Sequence, residues 1–192
     1  MDKNLALKHK KLFRKALYLS AELEEVNDVF EVCKAEFFKE VSETGCKPPS
    51  LSLASAVDSL DDNLEDILSE EDSHKPPAEG FKKLYRKIML KAHPDKLIGI
   101  KDDDLRQLYS DVCAKTMKAM EEESWYMLYG AALDIGIKNI ELKDEHINFL
   151  TEDCSKIDDA VKKIKSSIPW VWFHSNDNIK KMCIEQYSSK YS

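Results

Sequence analysis

The sequence predicts an all-α protein: a helical hairpin embedded between two long helices, each with a heptad seam. Three observations carry that prediction. Helix breakers are scarce, with 5 Gly and 6 Pro in 192 residues. Apolar residues recur three and four apart over two long stretches, one near each end of the chain. Between those stretches a short basic segment of helical period stops abruptly at His93-Pro94-Asp95. Apolar residues make up 43% of the chain, enough for a core, and the length suits one domain or two small ones.

Residues 1–43 read as one helix. Leu12, Ala16, Leu19, Leu23, Val26, Phe30, Cys33 and Phe37 alternate spacings of four and three, an a/d seam, while Glu22, Glu24, Glu25, Glu31 and Glu36 lie off it. Gly45 and Pro48-Pro49 are expected to close the helix. Residues 44–56, rich in Ser and turn formers, read as a linker.

Residues 57–125 read as the embedded helical domain. An acidic amphipathic piece comes first, with Val57, Leu60, Leu64, Ile67 and Leu68 on one face. A basic helix follows from near Glu79, turning Phe81, Leu84, Tyr85, Ile88 and Met89 inward and Lys82, Lys83, Arg86, Lys87 and Lys91 outward. The next helix begins at Asp102, Asp103 and Asp104, whose charge suits a positive helix N-terminus. Its expected buried face is Leu105, Leu108, Tyr109, Val112, Thr116 and Met120, and the helix is expected to continue through "SWYMLYGAALDIGI" to Gly136.

Residues 126–192 read as a C-terminal helical region packed with the N-terminal helix. Ile147, Leu150, Cys154, Ile157, Val161, Ile164 and Ile168 form the second seam, which Pro169 is expected to stop. A short terminal helix follows the aromatic cluster "WVWFH". Two seams of similar length each need a partner. The expectation is an antiparallel pair within the chain; the alternatives are a coiled-coil homodimer or a groove for a client helix.

Composition excludes several function classes. A net charge of −7 argues against general nucleic-acid binding. Five scattered Cys without a C-x-x-C pair argue against structural zinc or a disulfide framework, and Cys33 and Cys154 sit on the seams as buried thiols. His9, His74, His146 and His174 lack ligand-spaced neighbours. No apolar signal segment or membrane span is visible, and no nucleotide-loop, serine-hydrolase or zinc-protease motif occurs. The expectation is a cytoplasmic protein that is not an enzyme, needs no cofactor or metal and binds neither nucleic acid nor membrane. Trp125, Trp170 and Trp172 are expected in cores, with a client-binding aromatic patch as the alternative.

The stretch "YRKIMLKAHPDK", from Tyr85 to Lys96, resembles the second helix and loop of the J domain of DnaJ-type co-chaperones. "LEDIL" (Leu64–Leu68) is similar to the family's first helix, and the helix from Leu105 stands where its third should. Leu64 and Glu65 replace the family's usual aromatic pair, and Lys115-Thr116 its usual Ala-Tyr. The similarity covers about a third of the chain, and no zinc-finger or Gly/Phe-rich segment follows. The layout is similar to small J-domain proteins of some bacteriophages, which would place it in a host-cell cytoplasm.

The resemblance implies a J-like hairpin around the His-Pro-Asp loop and a DnaK-type heat-shock chaperone as partner. Lys82, Lys83, Tyr85, Arg86, Lys87, Lys91 and Lys96 would dock it; His93, Pro94 and Asp95 would trigger its ATPase. The flanking helices would give client or location specificity, with the client itself unspecified. The rival reading is a structural or adaptor protein that keeps the fold without the chaperone partnership. If residues 58–72 form the first helix of a J-like hairpin, their acidic rim would lie near Lys82 to Lys91 and either restrain docking or only keep the chain soluble.

Overall fold

The computed structural model describes residues 3–43, 79–99, 101–138 and 140–191. Every regular element among them is helical: α1 (Lys3–Glu43), α2 (Glu79–Ala92), a 3-10 helix (Pro94–Gly99), α3 (Asp103–Glu121), α4 (Trp125–Asp134), α5 (Asp144–Lys165), α6 (Ile168–Phe173) and α7 (Asp177–Tyr191). The expected linker, the acidic piece with Leu64–Leu68, Cys46 and His74 lie outside the described residues. The chain divides into two compact units, one of Met1–Ala21 with Pro76–Asp158, the other of Glu22–Lys75 with Asp159–Ser192.

In the first unit α2 buries Phe81, Leu84, Ile88 and Ala92, positions three and four apart that form one stripe. That stripe packs on α3 and α4. The Asp102 carboxylate caps α3 by accepting from the Leu105 backbone N–H at 3.1 Å, with Asp103 and Asp104 in the first turn. The buried face of α3 runs through Val112, Cys113, Thr116 and Ala119. Thr116 is tolerated there because its hydroxyl donates to the Val112 carbonyl at 2.6 Å. Leu105 and Leu108, expected inside, are exposed: the fully buried residues of α3 begin only at Val112.

The expected continuous helix through residues 105–136 is broken after Glu121. Glu123 adopts a left-handed conformation (φ 51°), and a new helix begins at Trp125. No Gly or Pro marks the break. Its cause lies in α5: the buried Asp153 carboxylate accepts from the Tyr126 backbone N–H at 2.8 Å, capping α4 from another helix. At its far end α4 closes through Gly136, whose φ of 70° suits glycine. Trp125, Leu128, Ala131 and Ala132 are fully buried.

Helix α5 buries Ile147, Leu150, Cys154, Ile157 and Val161, and half-buries Ile164. It ends at Lys165, earlier than expected. Pro169 does not stop it but sits in the first turn of α6, where its missing N–H is not needed. The hydroxyls of Ser166 and Ser167 accompany the actual end, donating to the carbonyls of Lys163 and Ile164.

The two seams do meet within the chain: Cys154 Sγ lies 3.8 Å from the Leu12 carbonyl, and Lys165 Nζ lies 2.7 Å from Glu22 Oε1. These contacts advance in the same sense along both helices, so α1 and α5 run parallel where an antiparallel pair was expected. Antiparallel pairing is the default for helices joined by a short loop. Here 100 residues, 44–143, separate the two helices in the chain, so no short loop imposes that direction.

The second unit has an aromatic core of its own. Phe37, Val41, Trp172, Cys183 and Tyr187 are buried together. Phe37 meets Trp172 and Tyr187 edge-on, at centroid distances of 5.6 and 5.3 Å. Trp170 is half-buried and stacks on His174 at 4.4 Å. The terminal helix, expected to be short, spans 15 residues.

Candidate functional site

The outer side of α2 is basic. Lys83, Arg86, Lys87 and Lys91 are exposed, while Lys82 and Tyr85 are half-buried at the edge of the apolar stripe. Among the described residues no carboxylate lies within ion-pair distance of Lys82, Lys83, Arg86, Lys87, Lys91 or Lys96. Neighbouring basic residues on one helix face repel each other by a few tenths of a kcal/mol per pair. An acidic partner surface would relieve that repulsion.

His93 closes the helix: its backbone N–H donates to the Met89 carbonyl at 3.0 Å. Pro94 supplies no further donor, and the chain tightens into the 3-10 helix, with the Lys96 N–H donating to the His93 carbonyl at 2.9 Å. His93 Nδ1 accepts from the Asp95 backbone N–H at 3.3 Å, which leaves the neutral ring's proton on Nε2. The Asp95 carboxylate stands 3.4 Å from the same Nδ1 and is 84% exposed. Both side chains are on the surface, the ring about half exposed at 48% and the carboxylate more so.

The sequence-predicted residues therefore fall on one helix face and the turn that follows it. Two apolar residues beside them were not singled out: Leu90 and Ile98 are exposed on α2 and on the 3-10 helix. Leu90 falls outside the inward stripe, which the three-and-four spacing reveals, whereas nothing in the sequence marks Ile98.

On the other flank of α2, Lys83 and Lys87 line a cavity of about 110 Å³ with Glu79, Gly80, Leu84, Trp125, Ile140, Glu141, Lys143 and His146. The sequence offers no sign that Lys143 and His146 come to this helix. His146, expected to be unremarkable surface or core, is buried and stacks flat on Trp125 at 4.0 Å. Burial lowers its pKa to about 4, with Lys143 pushing the same way.

Among the described residues no group of three or more His, Cys, Asp or Glu is placed to hold a metal ion, and no helix is long and apolar enough to cross a membrane. No family model, curated protein or solved structure matches the chain.

Proposed function

We propose that this protein is a J-domain co-chaperone. It docks a DnaK-type heat-shock ATPase through the basic face of α2 and stimulates ATP hydrolysis through His93, Pro94 and Asp95. The observation that carries this reading is the exposed Asp95 carboxylate, in a self-bonded His-Pro-Asp turn at the end of a helix whose basic residues have no ion-pair partner among the described residues. A solvated basic helix needs no such terminus. The protein performs no chemistry itself and acts as an allosteric effector of its partner. The long helices outside the basic hairpin supply client or location specificity.

Single-turnover ATP hydrolysis by a DnaK-type chaperone, with and without this protein, tests the reading. Asp95→Asn keeps the side-chain shape and removes the charge, so it should abolish stimulation with no change in circular dichroism or Tm. Equal stimulation by parent and variant overturns the trigger. Absence of stimulation by the parent leaves the adaptor reading.

A further inference from the structure

The two sides of α1 carry different patterns. His9, Ala16, Leu19, Val26, Cys33 and Phe37 are buried. Opposite them a second stripe starts at Leu7 and runs in steps of four and three to Val32, and every residue on it is exposed. Those steps are a heptad seam, here facing solvent along about 38 Å of one uninterrupted helix. Three of its side chains, Leu7, Tyr18 and Val32, are large, apolar and at least half exposed.

Charge along α1 is segregated. The span from Lys3 to Lys15 holds six basic residues and no acidic one, whereas the span from Glu22 to Glu43 holds eight acidic residues and two lysines. Among the described residues Lys11, Arg14, Glu25 and Asp28 have no ion-pair partner. Like charges three and four apart on a helix repel. Lys11 is so placed to Arg14 and Lys15, and Asp28 to Glu24 and Glu25. A partner that relieves both ends must be acidic at one end and basic at the other.

The same stripe, reversed, is such a partner. Laid antiparallel to itself about a two-fold axis midway between positions 19 and 20, it pairs Leu7 with Val32, Lys11 with Asp28, Arg14 with Glu25 and Tyr18 with Ala21. The apolar ends meet, each base meets an acid, and the largest side chain meets the smallest. The flanking positions agree: Lys3 falls opposite Glu36, Lys8 opposite Glu31 and Lys15 opposite Glu24. A parallel pair would set Lys11 on Lys11 and Glu25 on Glu25. An acidic protein, an anionic lipid surface or a nucleic acid would match only the basic half and be repelled by the other.

We propose that α1 pairs with α1 of a second copy of this chain, antiparallel, along this outer stripe. The contact is isologous, so it closes at two copies. It is largely polar, so it is weak and sensitive to salt. It uses the side of α1 turned away from the buried seam and does not depend on the co-chaperone reading.

Sedimentation velocity of the full chain across the micromolar range at low salt tests the pairing. A concentration-dependent dimer that dissociates as salt is raised is expected. Lys11→Glu with Arg14→Glu turns four attractive layers of the dimer repulsive, and Glu25→Lys with Asp28→Lys does the same from the other end. Each double variant should dimerise on the order of a hundredfold more weakly. Their equimolar mixture should dimerise as the parent does, because every layer again pairs opposite charges. All four positions are exposed, so circular dichroism should not change. Direction is read with Leu7→Cys and Val32→Cys, made separately in a Cys46→Ser background: oxidation should cross-link the mixture and neither variant alone. A parent that stays monomeric, double variants that dimerise like the parent, or a mixture that stays monomeric overturns the pairing and leaves a solvated helix face. Cross-linking of either cysteine variant with itself overturns the antiparallel register.

Discussion

Trp125 donates its indole N–H to His9 Nε2 at 3.0 Å, both side chains fully buried, although they stand 116 positions apart in the chain. This bond ties the first turns of α1 to the start of α4. His9 must be neutral to accept it, and burial lowers its pKa to about 4, with the nearby His146 adding to the shift. His146 stacks on the face of Trp125, whereas His9 meets its edge, and its pKa is likewise lowered to about 4.

The pH dependence of stability follows from these signs. A folded-state pKa below the unfolded value of 6.5 means stability is full above pH 6.5 and lost as pH falls toward 4. Asp153 acts in reverse: burial raises it from 3.8 to about 6, so its contribution is full below pH 3.8 and lost as pH rises through 6. Near pH 5 unfolding takes up two protons at the histidines and releases one at Asp153. Net stability should therefore fall on acidification from pH 6.5 to 4.5, read as a falling urea midpoint. His9→Ala should remove part of this slope and cost about 3 kcal/mol at pH 7 through the cavity and the orphaned indole donor. A flat midpoint across that range would place both histidines in water.

The break between α3 and α4 depends on Asp153, and its strain on Glu123. Asp153→Ala leaves the Tyr126 N–H without an acceptor in a half-buried place and should cost about 2 kcal/mol, while Asp153→Asn, which retains an acceptor oxygen, should cost less. Glu123→Gly should instead stabilise, by up to about 1 kcal/mol, because glycine has no Cβ penalty in the left-handed region. Chemical denaturation of the three variants checks the ordering. A destabilising Glu123→Gly would mean that the two helices are continuous.

What the sequence reveals and what it hides divide along the range of the forces involved. The seam from Leu12 to Phe37 is readable because burial repeats with the helical period, and the start of α3 because Asp102 caps it from the next position in the chain. The helix break at Glu122–Ser124 is invisible because its cap, Asp153, arrives from a different helix. The parallel course of α1 and α5 is hidden for a similar reason: the heptad period fixes a face and leaves direction open, and direction is set by the path of the intervening chain. At the candidate site, the basic face of α2 and the His-Pro-Asp turn are local and were legible. Lys143 and His146 reach the flank of α2 only through the packing of Trp125, which no spacing encodes.

The buried thiols give an independent reading of the helix packing. Cys33, Cys113, Cys154 and Cys183 are free and buried, and burial raises the pKa of Cys33, Cys154 and Cys183. Both effects suppress the reactive thiolate. In a Cys46→Ser background, labelling with a disulfide-exchange reagent should be slow in native protein and complete within the mixing time in 6 M guanidinium. Fast native labelling of Cys154 would separate α5 from the Leu12 carbonyl it touches.

Docking through α2 should be electrostatic in its kinetics. Exposed charges are screened over about 8 Å at physiological ionic strength, so added salt weakens steering before it weakens close contact. Arg86 and Lys87 are exposed and outside the apolar stripe, so reversing both to Glu should leave Tm within about 1 kcal/mol equivalent of the parent. The association rate with a DnaK-type partner should fall at least tenfold at low salt, while the dissociation rate changes much less. Raising the salt should bring parent and variant together, because the difference between them is itself screened. Surface-plasmon kinetics at 50 and 500 mM salt measure both rates. A loss confined to the dissociation rate, or a parent whose association ignores salt, would move the contact off the basic face and onto the apolar pair Leu90 and Ile98, both exposed beside it.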